Sequence, residues 1–247
     1  MVPTLMPTLP GSPPSAPDSD DSGWRAAGTG IEVRRIRYPS ETGTAALTVV
    51  RIDPQQVRFH VGYDPEQPRT LSLWQSETGA LAAINGGFFD ANNRSTALVI
   101  SAWVASGESY QGRGGMFAVG AAGVVSLRYL AEQPYDPNEA LVEAVQSWPM
   151  LISPGGGLAY TSEGGEQARR SVIARDRAGQ VLLIACPTST FTLRGMADWL
   201  LASDLEIDAA LNLDGGSSTG LYLDSGGERE RIDSFVLLPQ VLLVLPK

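Results

Sequence analysis

Hydrophobic and polar residues alternate over several short stretches of the chain, and this period of two predicts β-strands. In residues 57–63 the alternation places Val57 and Phe59 on one face and leaves His60 on the solvent-facing side. The apolar residues 46–52 are predicted to pair with this strand across a four-residue turn. Further strands are predicted to end at residue 84 and to cover residues 97–104, 116–119, 124–129, 150–152, 171–175, 181–185, 208–213, 220–223 and 241–244.

Two turns and three helices complete the predicted elements. Residues 120–123 and 176–179 each separate two predicted strands and contain glycine, which is typical of β-hairpins. Helices are predicted at residues 70–78, 137–146 and 192–202, the last beginning with a threonine N-cap and presenting apolar residues on one side. These elements predict a single domain of the α+β or mixed α/β class, with a mixed sheet, several hairpins and about three helices.

The N-terminal part of the chain has a different composition from the rest. Its first 23 residues are rich in Pro, Ser, Asp and Gly and contain no basic residue. Such a segment buries too little apolar surface to offset the entropy of ordering, so we expect a disordered tail or linker over residues 1–28 and one domain over residues 29–247. It lacks the basic start and apolar run of an intact signal peptide, yet its spacer-like composition favours an exported protein that is secreted, periplasmic or surface-tethered.

The charge balance argues against two classes of partner. The formal net charge is -9, which disfavours binding to nucleic acid and to anionic membranes. No apolar run has the length of a membrane-spanning helix. Lys247 is the only lysine, so the remaining basic residues are arginines, whose planar fork suits phosphate or carboxylate. A local anion site is therefore compatible with the acidic chain, and the sequence does not indicate an oligomeric state.

Single copies of two reactive residue types limit the chemistry. His60 is the only histidine and is predicted at the surface, so a Ser-His-Asp triad is disfavoured. Cys186 is the only cysteine and follows an apolar run, which favours a packed thiol over a nucleophile. The segment that begins at Asp90 lacks the glycine and glutamate of a calcium-binding EF-hand loop. No cofactor is required by the sequence and no metal ligand is assigned, although a single divalent cation held by scattered oxygen atoms is compatible with it.

Carboxylates, arginines and an amide beside glycine-rich turns are then the candidate chemical groups. The first cluster is INGGFFD, where an apolar strand meets Asn85, Gly87 and Asp90; its glycines allow close approach of a ligand or another backbone, and a tight turn is the alternative. The second is ARRSVI, where at least one of Arg169 and Arg170 would point into a cleft, with a surface ion pair as the alternative.

The third cluster, LNLDGGSST, places an acid at the end of a buried strand. Asp214 is followed by Gly215, Gly216 and Ser217, and the N–H groups of such a turn can bind an anion. A hairpin turn is the alternative interpretation, but the long apolar run before Asp214 disfavours a simple surface turn.

Together, these three clusters resemble the motifs of the phosphodiester glycosidase family, the family of N-acetylglucosamine-1-phosphodiester α-N-acetylglucosaminidase. INGGFFD, the Arg-Ser pair before an apolar strand and ALNLDGGSST occur in the family's order, and the resemblance covers about residues 45 to 245. The family often has Arg-Thr where this chain has Arg170-Ser171. The resemblance implies a mixed α/β fold and a hydrolase that acts on a glycosyl phosphodiester, either a small molecule or a glycan.

The resemblance also implies roles for the matching residues. Arg170 would bind the phosphate, helped by the N–H groups of Gly215 and Gly216. Asp214 would activate water, attack the sugar or bind it, and Asn85 would hold a sugar hydroxyl or a phosphate oxygen. The remaining candidates for substrate binding are Gly87, Asp90 as a second acid, Ser217, and Arg194 as a reserve anion ligand.

Two other functions fit the same motifs. The chain could be a non-catalytic module that binds a carbohydrate or a cell-wall polymer, because a shared fold does not establish catalysis. It could also be a phosphodiesterase in which water attacks phosphorus instead of the anomeric carbon. Both alternatives stay open at the level of the sequence.

Overall fold

The computed structural model describes residues 20–40 and 43–247. Strands make up 49% of these residues and helices 9%. In chain order the strands are β1 (Arg25–Ala26), β2 (Ile31–Ser40), β3 (Gly43–Ile52), β4 (Val57–Tyr63), β5 (Ala82–Asn85), β6 (Val99–Ser101), β7 (Val104–Ser106), β8 (Gly115–Gly120), β9 (Val125–Tyr129), β10 (Leu141–Ser147), β11 (Met150–Ser153), β12 (Gly157–Leu158), β13 (Ala168–Asp176), β14 (Val181–Phe191), β15 (Ile207–Asn212), β16 (Leu221–Ser225), β17 (Glu228–Ile232) and β18 (Gln240–Pro246). The helices are α1 (Leu71–Thr78), α2 (Leu193–Ala202) and a single 3₁₀ turn, Gly216–Ser218.

The strands form three antiparallel sheets. Sheet 1 has the order β1-β2-β3-β14-β13-β15-β11-β12, sheet 2 the order β7-β6-β10-β8-β9, and sheet 3 the order β17-β16-β5-β18-β4. The predicted α+β or mixed α/β class is therefore wrong: the described residues form a mostly β structure with two α-helices and three antiparallel sheets, and not a mixed sheet with about three helices.

The main hydrophobic core contains residues from all three sheets. Phe59 of sheet 3 and Phe117 of sheet 2 meet edge to face, with ring centres 5.3 Å apart, and Leu183 of sheet 1 belongs to the same core. The alternate residues of β14, such as Leu182, enter a second cluster with Met196 of α2. Sheet 1 is thus buried on both faces, which explains its continuous apolar runs. Such runs are also typical of parallel strands in α/β proteins. The predicted class rested on hairpins combined with about three helices, and it is wrong because the described residues contain only two α-helices and no mixed sheet.

Most of the predicted elements are present, but two of them differ from the prediction. The helix at residues 70–78, the helix capped by Thr192 and both hairpins are confirmed. The third predicted helix, residues 137–146, is wrong, because this segment contains the start of strand β10. Its Ala, Leu, Glu and Gln residues favour a helix locally, but pairing with β6 and β8 outweighs that preference.

The predicted pairing of residues 46–52 with residues 57–63 is also wrong. The turn between them exists, with Gln56 N–H donating to the Asp53 carbonyl oxygen at 3.0 Å. The two strands nevertheless enter different sheets, since β3 pairs with β2 and β14 whereas β4 pairs with β18. The turn therefore carries the chain from sheet 1 to sheet 3.

Only part of the segment predicted as a tail falls within the described residues, because residues 1–19 lie outside them. Residues 20–28 run along β2, with Ser22 N–H donating to the Arg35 carbonyl oxygen at 2.9 Å. The Trp24 ring lies 4.0 Å from the guanidinium carbon of Arg51. Among the described residues, no helix is long and apolar enough to cross a membrane.

Candidate active site

The side chain of Asn85, at the end of β5, connects the three motif clusters. It is completely buried. Its Nδ2 donates to the carbonyl oxygens of Asp214 at 2.6 Å and Gly86 at 3.2 Å. Its Oδ1 accepts from the Ser171 hydroxyl at 2.7 Å and from Gly220 N–H at 3.1 Å. Asn85 thus brings the Arg-Ser pair and the Asp-Gly-Gly turn together, although they are far apart in the sequence.

Gly86 and Gly87 allow other backbone segments to approach this point. A Cβ atom on Gly86 would lie 3.1 Å from the Gln240 carbonyl oxygen, and one on Gly87 would overlap the carbonyl oxygen of Gln146. The close approach that the glycines were predicted to permit is therefore made here by protein backbone. Gly87 is buried against β10.

Replacing Gly87 by Ala is expected to lower the free energy of unfolding by about 1–3 kcal/mol, because the added methyl group cannot fit without moving β10. Urea unfolding of the purified chain measures this change. Gly120→Ala is the matched control, because a Cβ atom there has no neighbour closer than 3.8 Å. Equal destabilisation by the two substitutions would contradict the close-approach explanation.

Asp214 follows the buried strand β15 and is half-buried in the turn that follows. Its N–H donates to the Gly86 carbonyl oxygen at 3.1 Å. Burial raises the pKa of the Asp214 carboxyl group to about 6, opposed by hydrogen bonds from the Ser218 hydroxyl and Gly215 N–H. No arginine of the described residues forms a salt bridge with it, and its raised pKa places its change of charge close to neutral pH.

Arg170 lies in β13, directly before the Ser171 that binds Asn85. Its Nε donates to the Phe191 carbonyl oxygen at 3.0 Å and its Nη2 to the Glu166 carbonyl oxygen at 2.6 Å. Burial lowers the pKa of its guanidinium group, which has no carboxylate partner among the described residues. Its Nη1 lies 3.8 Å from the position that a Cβ atom on Gly215 would occupy. An unpaired cation therefore stands beside the Asp-Gly-Gly turn.

Arg169 is a further cation at this site, which the sequence interpretation did not single out. It is buried, and its Nη2 donates to the Asp233 carbonyl oxygen at 2.8 Å. Its guanidinium carbon lies 4.0 Å from the centre of the exposed Phe235 ring, and its Nε and Nη1 have no partner in the described residues. Phe235 N–H in turn donates to the Ser217 carbonyl oxygen at 2.7 Å. The sequence offered only the Arg-Arg pair as a signal, since the role of Phe235 depends on a tertiary contact.

The other candidate residues differ in their surroundings. The carboxylate of the exposed Asp90 closes its own turn by accepting the N–H groups of Asn92 at 2.8 Å and Arg94 at 2.9 Å. Arg194 pairs with Asp198 on the same helix at 2.9 Å. Ser217 is exposed in the 3₁₀ turn, and in the described residues the N–H of Gly216 has no hydrogen-bond partner. Position 216 favours glycine because its φ of 58° lies in the left-handed region of the backbone.

Buried polar atoms without a protein partner gather around the three clusters. In the described part of the chain these atoms belong to Arg128, Ser147, Arg169, Asn212, Thr219 and Gln240. Arg169, Asn212 and Thr219 belong to the motif clusters themselves. Gln240 and Ser147 pack against the glycines of the first cluster, where a Cβ atom on Gly87 would lie 3.6 Å from the Cβ atom of Ser147. Arg128 is the exception. Native proteins rarely bury unsatisfied polar groups, and such a concentration is typical of a functional site. Asn212 and Thr219 could have been found from the third motif, whereas Ser147 had no comparable signal.

A carboxyl group with a raised pKa and an unpaired guanidinium beside the same glycine turn mark a candidate functional site. The model of the phosphodiester glycosidase family matches residues 78–244, more than half of the chain. The protein therefore belongs to the phosphodiester glycosidase family.

Solved structures of similar fold extend the comparison. The catalytic domain of zebrafish N-acetylglucosamine-1-phosphodiester α-N-acetylglucosaminidase, auto-inhibited by its pro-peptide, has a TM-score of 0.70 and 17% identity, covering 92% of this chain and 89% of that one. A hypothetical protein from Synechocystis has a TM-score of 0.66 and 16% identity, covering 88% and 62%. A candidate exported protein from Burkholderia pseudomallei has a TM-score of 0.56 and 13% identity, covering 83% and 75%. At these identities the likeness concerns the fold. No curated protein sequence matches the chain.

Proposed function

We propose that the protein is a hydrolase that cleaves the glycosidic C–O bond of a sugar-1-phosphate diester and releases free sugar and a phosphomonoester. The observation that carries this proposal is that Arg170 Nη1 lies 3.8 Å from the Cβ position of Gly215, the residue that follows Asp214, yet the two charged groups form no salt bridge in the described residues. Leaving both groups half-buried and unpaired costs stability, which is typical of residues kept for a substrate. Family membership supports the proposal.

The proposed reaction needs one cation and one proton acceptor. Arg170 Nη1 and the free N–H of Gly216 bind the phosphate, whose negative charge increases as the anomeric C–O bond breaks. Water supplies the new C–O bond, the electron pair of the broken bond stays on the phosphate oxygen, and the ionised Asp214 accepts the water proton. Because a phosphomonoester is a good leaving group, a second carboxyl group is not essential as a general acid.

Asn85 acts in this proposal as a positioning residue. An Asn side chain has two N–H donors and one oxygen with two lone pairs, and all four are used by protein groups. The amide therefore has no free capacity to hold a sugar hydroxyl, although the sequence interpretation gave it that role. Its contribution is to fix the backbone of Asp214 and the strand that carries Arg170.

The pH profile of the reaction follows from the pKa of Asp214. If the ionised carboxylate accepts the proton, kcat/KM is expected to rise about tenfold per pH unit at acidic pH and to level off above the pKa of about 6. Steady-state rates between pH 4 and 8 measure this profile. A fall in kcat/KM through the same region would instead assign Asp214 as a general acid.

Hydrolysis in oxygen-18 water tests the proposal. The substrates are methyl diesters of several sugar-1-phosphates, incubated with and without a chelator, and Asp214→Asn is the inactive control. Label in the free sugar is the expected result, because it requires attack at the anomeric carbon. Label in the phosphate would identify a phosphodiesterase, and binding without turnover across the panel would identify a carbohydrate-binding module; either result would overturn the proposal.

A further inference from the structure

A cavity of about 1010 Å³ lies away from the candidate active site. It runs along the outer edge of β4, between that strand and the hairpin formed by β8 and β9. Its wall is largely apolar and includes Val57, Phe59, Val119, Val142 and Leu245. Arg175, at its margin, is five residues along β13 from Arg170, roughly 17 Å in an extended strand. A cavity of this volume can hold a small organic molecule.

The only histidine of the chain lies on this wall, held by a buried acid. His60 Nδ1 is 3.0 Å from Glu143 Oε1. Glu143 Oε2 accepts the N–H groups of Val61 at 2.9 Å and Ala102 at 3.3 Å. Both carboxylate oxygens are thus occupied, and the imidazole ring is fixed in orientation. In the described residues His60 Nε2 has no partner, and the His60 side chain is 31% exposed.

The charge of the wall is opposite to that of the whole chain. The formal net charge of the protein is -9. The ionisable side chains that line the cavity are nevertheless Arg58, His60, Arg175 and Lys247, with Glu143 as the only acid. The negative charge of Glu143 is compensated by its three hydrogen-bond donors, and the positive charge of Arg175 by Asp208 at 2.5 Å. Arg58, in contrast, donates to a single carbonyl oxygen. The cavity wall therefore carries an excess of positive charge beside an apolar space.

Two other uses of the cavity fit the structure less well. The described lining contains no Ser, Thr, Cys or Tyr, and the oxygens of its one acid are occupied, so it offers no hydroxyl, thiol or free carboxylate nucleophile beside His60. An extended peptide would need a long free strand edge, but Glu143 already occupies the N–H of Val61 and leaves only residues 57–60 of β4 to the cavity. The cavity thus favours a small bound molecule over catalysis or strand addition.

We propose that this cavity binds a small amphiphilic anion. The apolar chain of the ligand lies against the accessible side chains of Val124, Val142 and Leu245, and its acidic head group meets His60 Nε2 and the guanidinium of Arg58. Because Nδ1 of His60 is held by Glu143, Nε2 is the ring nitrogen left for the head group, and His60 links Glu143 to it. A carboxylate and a phosphate share this chemistry, and either can supply the head group.

Calorimetric titration of the full chain with octanoate, octyl phosphate and octanol tests the proposal. At least one acid is expected to bind about tenfold or more tightly than octanol, because a hydrogen bond to a charged group adds to the shared apolar contact. The two acids distinguish a carboxylate ligand from a phosphate ligand. Equal binding of octanol and both acids, or no binding of any of them, would overturn the proposal, as would binding of an extended acidic peptide alone.

Variants locate the binding. His60→Gln and Arg58→Gln are each expected to weaken binding of the acid about tenfold, and Ala122→Trp, which fills the cavity without altering its charges, is expected to abolish it. Arg58 is exposed, so its variant keeps the test valid if His60→Gln destabilises the chain. Asp214→Asn should bind as the unmodified protein does. Wild-type affinity in both Ala122→Trp and Arg58→Gln would place the ligand elsewhere and reject the site.

Discussion

Replacing Asp214 by Asn is expected to reduce turnover of a sugar-1-phosphate diester by about a thousandfold or more, because the amide cannot accept the water proton. The exchange keeps the size of the side chain and an oxygen that can accept from Ser218 and Gly215. Single-turnover rates measure the loss. Asp136→Asn is the matched control: it makes the same chemical change in an exposed turn, where the Asp136 carboxylate only accepts local hydrogen bonds from Asn138, and its turnover should be unaffected.

The same variant, Asp214→Asn, is expected to be more stable than the unmodified protein at neutral pH. The folded-state pKa of Asp214 is raised from 3.8 to about 6, so folding favours its protonated form. The stability that this group contributes is present below pH 3.8 and is lost as the pH rises through about 6, by up to about 3 kcal/mol. Asp214→Asn is therefore expected to unfold at a higher urea concentration than the unmodified protein at pH 7.5, and at the same concentration near pH 4. Retained turnover, or equal destabilisation at both pH values, would contradict the assigned role.

Asn85→Ala is expected to lower both the free energy of unfolding and the turnover, and its effect is the second large one that we expect. It leaves the Ser171 hydroxyl, Gly220 N–H and the Asp214 carbonyl oxygen without their partner. Each unsatisfied buried group costs about 1–3 kcal/mol, so the sum is a large part of the stability of a typical domain, about 5–15 kcal/mol. Urea unfolding and kcat are the measurements.

Ser171→Ala is the matched variant for this prediction, because it removes one of the four hydrogen bonds and spares the others. Its loss of stability should be about 1 kcal/mol, and the double variant should show coupling between the two positions. An Asn85→Ala protein of normal stability with a raised KM alone would indicate a direct sugar contact, contrary to the positioning role.

Local patterns predicted what depends on neighbours in the sequence. The hairpin between β13 and β14 follows from its turn residues, and α2 follows from its Thr192 cap and its apolar side. The Asp-Gly-Gly turn at the end of β15 was also evident from the sequence. The wrong elements depend on distant partners: β10 is a strand because β6 and β8 flank it, and β3 pairs with β14, which is more than a hundred residues away.

The candidate site shows the same division. The sequence identified Asn85, Arg170 and Asp214, because amides and charges beside glycines stand out in an apolar context. It could not show that the four hydrogen bonds of Asn85 are all made within the protein, nor that Arg169 lies beneath Phe235. These contacts join residues that are far apart in the sequence, so a local sequence pattern does not predict them.

The bonds from Asn85 to Ser171 and to Asp214 join positions 86 and 129 residues apart. Contacts between such distant positions are slow to form, because the loops they close carry a large entropic cost. None of the three motifs alone can hold the catalytic geometry, since each is oriented by the other two. The geometry of the candidate site is therefore a property of the complete tertiary structure, because separating any one of the three motifs removes hydrogen bonds that orient the other two.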